Sequence, residues 1–146
     1  MAYMSIGSEF ETAALVSDLR AQGKTLVLPR APRGSHALEL YAVRDLERDL
    51  AVGVWGIREP RSDICRAVPP EGIDFVLVPG VAFTARCERL GYGGGFYDQL
   101  ISGFSRRPSL VAAAFGLQIV PDLPVLPTDQ RVDLVITEDA VYERDG

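Results

Sequence analysis

Phe75-Val76-Leu77-Val78-Pro79-Gly80, followed after a short connection by Arg89-Leu90-Gly91-Tyr92-Gly93-Gly94-Gly95-Phe96-Tyr97-Asp98, reads as a strand, a turn, a glycine loop and a helix start. Phe75 to Val78 is the most hydrophobic strand candidate of the chain, and Pro79 and Gly80 stop it. Gly91, Gly93, Gly94 and Gly95 let the backbone take conformations closed to other residues. Consecutive amide N–H groups can then turn inward as an anion-binding nest. The apolar, helix-like segment Phe96 to Phe104 would add its N-terminal dipole. An arginine stands at one end of the loop and a carboxylate at the other, which suits a phosphate with its metal ion. The loop is not a P-loop, because no GxxxxGK[ST] string occurs, and Phe96 stands where GxGxxG needs its third glycine. A glycine-rich surface turn is the plain alternative.

Outward from this stretch, the pattern is that of an α/β protein. Tyr3 to Ile6 is short and apolar enough for a strand. Ser8 with Glu11 fits a capping box, Thr12 is a rival cap, and Leu15, Val16 and Leu19 then recur at helical spacing up to Gly23. Thr25 to Leu28 reads as a buried strand stopped by Pro29, which completes a strand–helix–strand unit of the kind that builds parallel sheets. Leu38 to Val43 alternates as a strand with one wet face. Arg44 to Asp49 is a solvated turn or short helix, and Arg58 to Gly72, with its prolines, an irregular connection. Val111 to Gly116 and Val132 to Thr137 are the remaining strands. The expectation is one domain over residues 1–146: α/β, a mixed, mostly parallel sheet with helices on both faces. Ligands of such sheets bind beyond the carboxyl ends of the strands, where the glycine loop begins.

Composition excludes several classes. Hydrophobic residues make up 47% and charged residues 24%, ordinary for a soluble globular protein. No apolar run approaches membrane-spanning length, and the first residues do not read as a signal peptide. A net charge of −5 argues against nucleic-acid or anionic-membrane partners. Cys65 and Cys87 have no metal-like spacing and read as reduced thiols of a cytoplasmic protein. The single His36 lies in the polar turn Arg33-Gly34-Ser35-His36, so a zinc site or a Ser–His–Asp triad is not expected. No covalent nucleophile is evident.

Pro79-Gly80-Val81-Ala82-Phe83 and Arg89 to Asp98 together resemble the signature of the 5-formyltetrahydrofolate cyclo-ligase (methenyltetrahydrofolate synthetase) family. Further matches follow in order: Ser8-Glu9-Phe10-Glu11-Thr12, Leu28-Pro29-Arg30, Gly56-Ile57-Arg58-Glu59-Pro60, Gln118, Pro127 with Asp129, and Ile136-Thr137-Glu138. The resemblance spans Tyr3 to Glu138, with the glycine loop its specific part.

The resemblance implies a reaction that uses ATP as co-substrate and Mg²⁺. The formyl oxygen of 5-formyltetrahydrofolate takes the γ-phosphoryl group, N10 attacks the activated carbon, and loss of phosphate leaves 5,10-methenyltetrahydrofolate beside ADP. Such chemistry asks for positioning and charge neutralisation rather than a protein nucleophile. By position, Arg89, Leu90, Gly91, Tyr92, Gly93, Gly94, Gly95, Phe96 and Tyr97 are the implied ATP-binding residues. Arg89 would offer a fork to phosphate; its structural alternative is a salt bridge to Glu88 or Asp98. Asp98 and Asp129 are the implied Mg²⁺ ligands, with a helix cap and a plain turn as alternatives. Met4, Glu9, Tyr92 and Phe96 are the implied folate contacts. Trp55 could stack on the pterin or aminobenzoate ring, or belong to the core. The implied assembly is a monomer or weak homodimer.

Two departures from the family pattern bear on activity. Members carry an N-terminal helix whose Lys and Arg residues contact ATP, whereas this sequence opens almost at the first strand. Phe96 stands where some members have tyrosine. A member that binds folate or nucleotide without turnover is therefore the second reading.

Overall fold

The computed structural model describes residues 1–146, with every side chain except that of Val54. The chain forms two compact units, Met1–Ile73 and Asp74–Gly146.

In the first unit, helix α1 (Ala13–Ala21) precedes strands β1 (Leu26–Arg30), β2 (Glu39–Val43), β3 (Leu50–Val52), β4 (Arg58–Pro60) and β5 (Arg66–Ala67). β1, β2 and β5 form an antiparallel sheet in that order, and β3 pairs antiparallel with β4. The core holds Val16, Leu26, Val27, Leu28, Leu40 and Val43, all nearly inaccessible. This is where the parallel strand–helix–strand expectation gives way. Residues 3–6 form no strand. Ala2 N donates to Val27 O at 3.0 Å, but Tyr3 O accepts the Thr12 hydroxyl at 2.7 Å in place of a ladder N–H. Thr12, fully buried, also accepts from Ser5 N, and Ser5 Oγ accepts from Thr12 N, both at 3.1 Å. This clasp replaces the Ser8–Glu11 capping box. Pro29 does not end β1, because β1 is an edge strand and tolerates a residue without an N–H. Arg58 to Gly72, expected to be irregular, contains β4 and β5, both too short for periodicity to reveal.

The second unit runs β6 (Phe75–Leu77), β7 (Ala82–Phe83), β8 (Arg89–Leu90), α2 (Phe96–Ser102), β9 (Ser109–Ala113), β10 (Leu134–Ile136) and β11 (Val141–Glu143). The four-stranded sheet has the order β11–β10–β9–β6. β6, β9 and β10 are parallel, and β11 is an antiparallel edge. This is the mixed, mostly parallel sheet of an α/β fold, and β6–α2–β9 is its crossover unit. Val76, Val78, Leu110, Ala112 and Val135 fill its core. β7 and β8 make a small hairpin just beyond the end of β6. α2 ends at Ser102, with Gly103 as C-cap, so Phe104 lies outside it.

Candidate functional site

The strand end, hairpin and glycine loop of the second unit bring Arg89 and Asp98 together. The β7–β8 hairpin pairs Phe83 with Arg89, and both side chains lie over Gly80. A Cβ on Gly80 would come within 2.6 Å of the Phe83 ring and 3.0 Å of Arg89 Cγ. Glycine after Pro79 is thus required by close approach. The Arg89 side chain is 3% exposed. It donates Nη2 to Asp98 Oδ2 at 2.8 Å and Nη1 to Pro79 O at 3.2 Å. Its Nε is buried with no partner. Of the two alternatives weighed for Arg89, ion pairing with Asp98 is the one observed. A buried donor left unpaired is costly, and a ligand acceptor is one way to satisfy it.

The loop between Arg89 and Asp98 closes tightly. A Cβ on Gly91 would stand 2.8 Å from Arg89 Nη1, and one on Gly94 2.8 Å from the Phe96 ring. Gly93 (φ 91°) and Gly95 (φ 67°) occupy the left-handed half of φ space. Gly95 is the N-cap of α2, so Asp98 falls in the first turn and is not the cap. α2 has only seven residues, which limits its dipole. Tyr92 is 66% exposed, and Phe96 and Tyr97 are half-buried.

Asp98 Oδ1 accepts from Gln130 N at 2.8 Å, which ties the loop to the segment carrying Asp129. Asp129 Oδ2 accepts from Leu126 N at 2.7 Å, closing a turn. Arg89, Asp129, Gln130 and Leu126 line a cavity of about 100 Å³. Both expected metal-site carboxylates are therefore next to one cavity or its wall, each already holding hydrogen bonds. Among the described residues, no group of three or more His, Cys, Asp or Glu side chains is arranged to hold a metal. One or two carboxylates with phosphate oxygens and waters are the usual Mg²⁺ donors, so Asp98 and Asp129 fit that role only with a phosphate ligand present.

Several residues around this site escaped sequence reasoning. Glu88, buried at 4% exposure, accepts from Thr84 Oγ1 at 2.9 Å, Arg86 at 3.0 Å and Arg131 at 2.9 Å. The Thr84 and Arg86 hydrogen bonds hold its carboxyl below the ordinary glutamate range. Gln118 donates Nε2 to Gly80 O and Val81 O and accepts from Phe115 N, so it braces the strand end. No local pattern signals these long-range pairs, although Gln118 belongs to the family resemblance.

The remaining candidates lie in the first unit. Met4 and Glu9 are half-buried on the clasped N-terminal segment, and Glu9 Oε2 accepts from Ile6 N at 2.8 Å. Trp55 is 71% exposed, which removes the core alternative. It sits in the 3₁₀ turn Val54–Gly56 with φ 63° and ψ 20°. A bulky residue held there is strained by about 1–3 kcal/mol, a cost that tends to mark functional positions. Cys87 is buried and Cys65 half-buried; burial raises both thiols above the ordinary range, as for unreactive cysteines. His36 is exposed, as expected of a loop residue. Among the described residues, no helix is long and apolar enough to cross a membrane.

Fold and loop define an α/β protein whose glycine loop joins a buried arginine–carboxylate pair beyond the end of a parallel strand. The model of the 5-formyltetrahydrofolate cyclo-ligase family matches residues 1–138. The probable 5-formyltetrahydrofolate cyclo-ligase of Schizosaccharomyces pombe is 31% identical, the match covering 91% of this chain and 71% of the relative. The 5-formyltetrahydrofolate cyclo-ligase of Mus musculus is also 31% identical, over 94% of this chain and 72% of the relative. The solution structure of 5,10-methenyltetrahydrofolate synthetase from Aquifex aeolicus superposes with a TM-score of 0.81 at 35% identity, covering 99% of this chain and 71% of that one. The chain belongs to the 5-formyltetrahydrofolate cyclo-ligase family, a family of enzymes.

Proposed function

We propose that the chain converts 5-formyltetrahydrofolate to 5,10-methenyltetrahydrofolate, consuming ATP with Mg²⁺ and releasing ADP and phosphate. The observation that carries this reading is the glycine loop running from the buried Arg89 to Asp98 in a chain of this family. The amides of Leu90 to Gly95 receive phosphate oxygens, and Gly91 and Gly94 leave room for the Arg89 and Phe96 side chains that close against the loop. Arg89 supplies a fixed positive charge at the strand end, with the unpaired Nε as a further donor. Tyr92, Phe96 and Tyr97 border the phosphates and the formyl group. Asp98 and Asp129 would hold Mg²⁺, which when bound would supply charge neutralisation at the phosphates.

The reaction balances without a protein nucleophile. The formyl oxygen attacks the γ-phosphorus, and the bond to the β-phosphate oxygen breaks to leave ADP. N10 then adds to the phosphorylated formyl carbon and gives up its proton to solvent, and phosphate departs with its C–O bond as the methenyl bridge forms. The protein orients the donor and acceptor and stabilises phosphate charge. Met4 and Glu9 contact the folate, and the exposed ring of Trp55 stacks on one of its aromatic groups. The protein acts in the cytoplasm as a monomer or weak homodimer.

A spectrophotometric assay of methenyltetrahydrofolate formation tests this reading. Product that requires both ATP and Mg²⁺ is expected. Saturable binding of 5-formyltetrahydrofolate by folded protein without product would favour the non-catalytic reading instead.

A further inference from the structure

Gln118 and Glu138 belong to the family resemblance, yet the reading above gives them no task. Gln118 ends the 3₁₀ turn Gly116–Gln118. Its Oε1 accepts from Phe115 N at 2.8 Å, within its own turn. Its Nε2 reaches out of the turn, to Gly80 O at 3.3 Å and Val81 O at 3.1 Å. The partners fix the orientation of the amide, because Phe115 N can only donate and the two carbonyls can only accept. The turn is itself anchored. Glu138 Oε2, just beyond β10, accepts from Gly116 N at 2.8 Å, and Val120 N donates to Phe83 O of β7 at 2.8 Å.

Closing the turn needs only the Oε1 acceptor. The two Nε2 contacts go instead to the segment on which Arg89 is seated. Arg89 Nη1 donates to Pro79 O at 3.2 Å, Arg89 Cγ packs over Gly80, and Val81 N donates to Leu90 O at 2.7 Å. Gly80 has no side chain to restrict its own torsions, so the turn needs a brace from outside. Holding the carbonyls of Gly80 and Val81 fixes the peptide planes before and after Val81. Gly80 then has less freedom to swing the Pro79 carbonyl away from the guanidinium. Asp98 orients Nη2 at 2.8 Å and Pro79 orients Nη1, and the two contacts together set where the buried, unpaired Nε points.

We propose that Gln118 is the positioning residue that sets the Arg89 guanidinium at the glycine loop. It touches no reacting atom and acts through the Gly80 and Val81 carbonyls. Without its Nε2 donors the strand-end turn relaxes, the Pro79 carbonyl leaves Nη1, and Arg89 swings about its remaining contact with Asp98. A guanidinium free to swing loses the advantage of a preset fork for phosphate oxygens. The effect falls on ATP rather than on folate, whose contacts Met4, Glu9 and Trp55 belong to the first unit. The inference rests on the reading of Arg89 as a phosphate ligand.

Gln118→Met, which keeps the side-chain length and adds no charge, tests it by two readouts on the full chain. The first is the proton–nitrogen NMR signal of the Arg89 Nε–H, assigned by its loss in Arg89→Lys. Burial should protect this proton from solvent in the parent, and its exchange should be about tenfold faster in Gln118→Met. The second is calorimetry with Mg²⁺ present. ATP should bind about tenfold more weakly to the variant, while affinity for 5-formyltetrahydrofolate changes by less than about twofold. A role confined to the stability of the turn would lower the thermal midpoint and move neither readout. Gln118→Glu keeps the acceptor for Phe115 N and loses only the donors, so it stands in should Gln118→Met fail to fold, and its Arg89 signal should change in the same way. An Arg89 signal like the parent's in a folded variant, or an ATP affinity that is unchanged or falls in step with that for folate, would overturn the proposal. Neither readout needs turnover, so the two readings fail separately. A parent that forms methenyltetrahydrofolate, with a variant that matches it in both readouts, loses only this inference. A parent that binds no ATP or forms no product loses the proposed activity, and the Arg89 signal then decides the role of Gln118 by itself.

Discussion

Arg89 and Asp98 hold each other at 2.8 Å, the arginine almost wholly out of water and the aspartate partly in it. Removing one partner of such a pair costs more than the pair is worth, because a buried charge is left uncompensated. Asp98→Asn should lower stability by about 2–3 kcal/mol, read as a shift in the urea midpoint at unchanged slope. An unshifted midpoint would mean that solvent already screens the pair. The loop glycines make a separate claim. Gly95 sits at φ 67°, ψ 6°, so Gly95→Ala should cost about 1–2 kcal/mol from the left-handed conformation alone. It should also weaken ATP binding, measurable by calorimetry, because the loop amides lose their arrangement. Unchanged affinity for ATP would remove the loop from the phosphate site.

The turn between β2 and β3 is organised by one carboxylate. Asp49 Oδ2 accepts from Arg44 N at 2.9 Å and Asp45 N at 3.0 Å, and Oδ1 accepts from Arg48 Nε at 2.8 Å. The Arg48 side chain first, and then these two backbone donors, depress its pKa from 3.8 to about 2. Because the folded value lies below the unfolded one, the ionised carboxylate stabilises the fold above about pH 4, and that stability is lost as pH falls toward 2. Glu88 shifts in the same direction through Thr84 and Arg86. Asp49→Asn should therefore lower the thermal midpoint near neutral pH and flatten the acid limb of the stability curve. An acid limb identical to that of the parent would exclude Asp49 as a source of acid sensitivity.

Elements were legible where apolar runs were long. Phe75 to Val78 and Val132 to Thr137 contain strands of the observed sheet, Val111 to Gly116 overlaps the end of one, and the glycine cluster does precede a helix. Where hydroxyl groups compete for backbone partners the reading failed, as at Tyr3 to Ile6, whose carbonyl is taken by Thr12. Strands of two or three residues, such as β5, β7 and β8, carry no periodicity to read. Their existence depends on partners far along the chain.

For the whole molecule, the family resemblance read in the glycine loop agrees with a family match over residues 1–138. Neither of the two units could be inferred from composition, because no linker separates Ile73 from Asp74. In the site, the residue types were legible but their partnerships were not. The sequence suggests Arg89 as a fork for phosphate, whereas in the structure two of its nitrogens are engaged by Asp98 and Pro79. Exposure of Trp55, the other open question, depends on a left-handed turn that tryptophan rarely adopts. Net charge of −5 adds a condition on any polyanionic substrate. Binding of ATP should strengthen with Mg²⁺ and with moderate salt, which screens the overall repulsion. Weaker binding on addition of Mg²⁺ would contradict this.

The most direct test of the account is the initial rate of methenyltetrahydrofolate formation at saturating ATP, Mg²⁺ and 5-formyltetrahydrofolate, for the parent chain and for Asp98→Asn shown to be folded. The account predicts ATP-dependent product from the parent and a rate lower by about a hundredfold or more in the variant, a loss of charge stabilisation at the transferring phosphoryl group. Equal rates in the two proteins would contradict it.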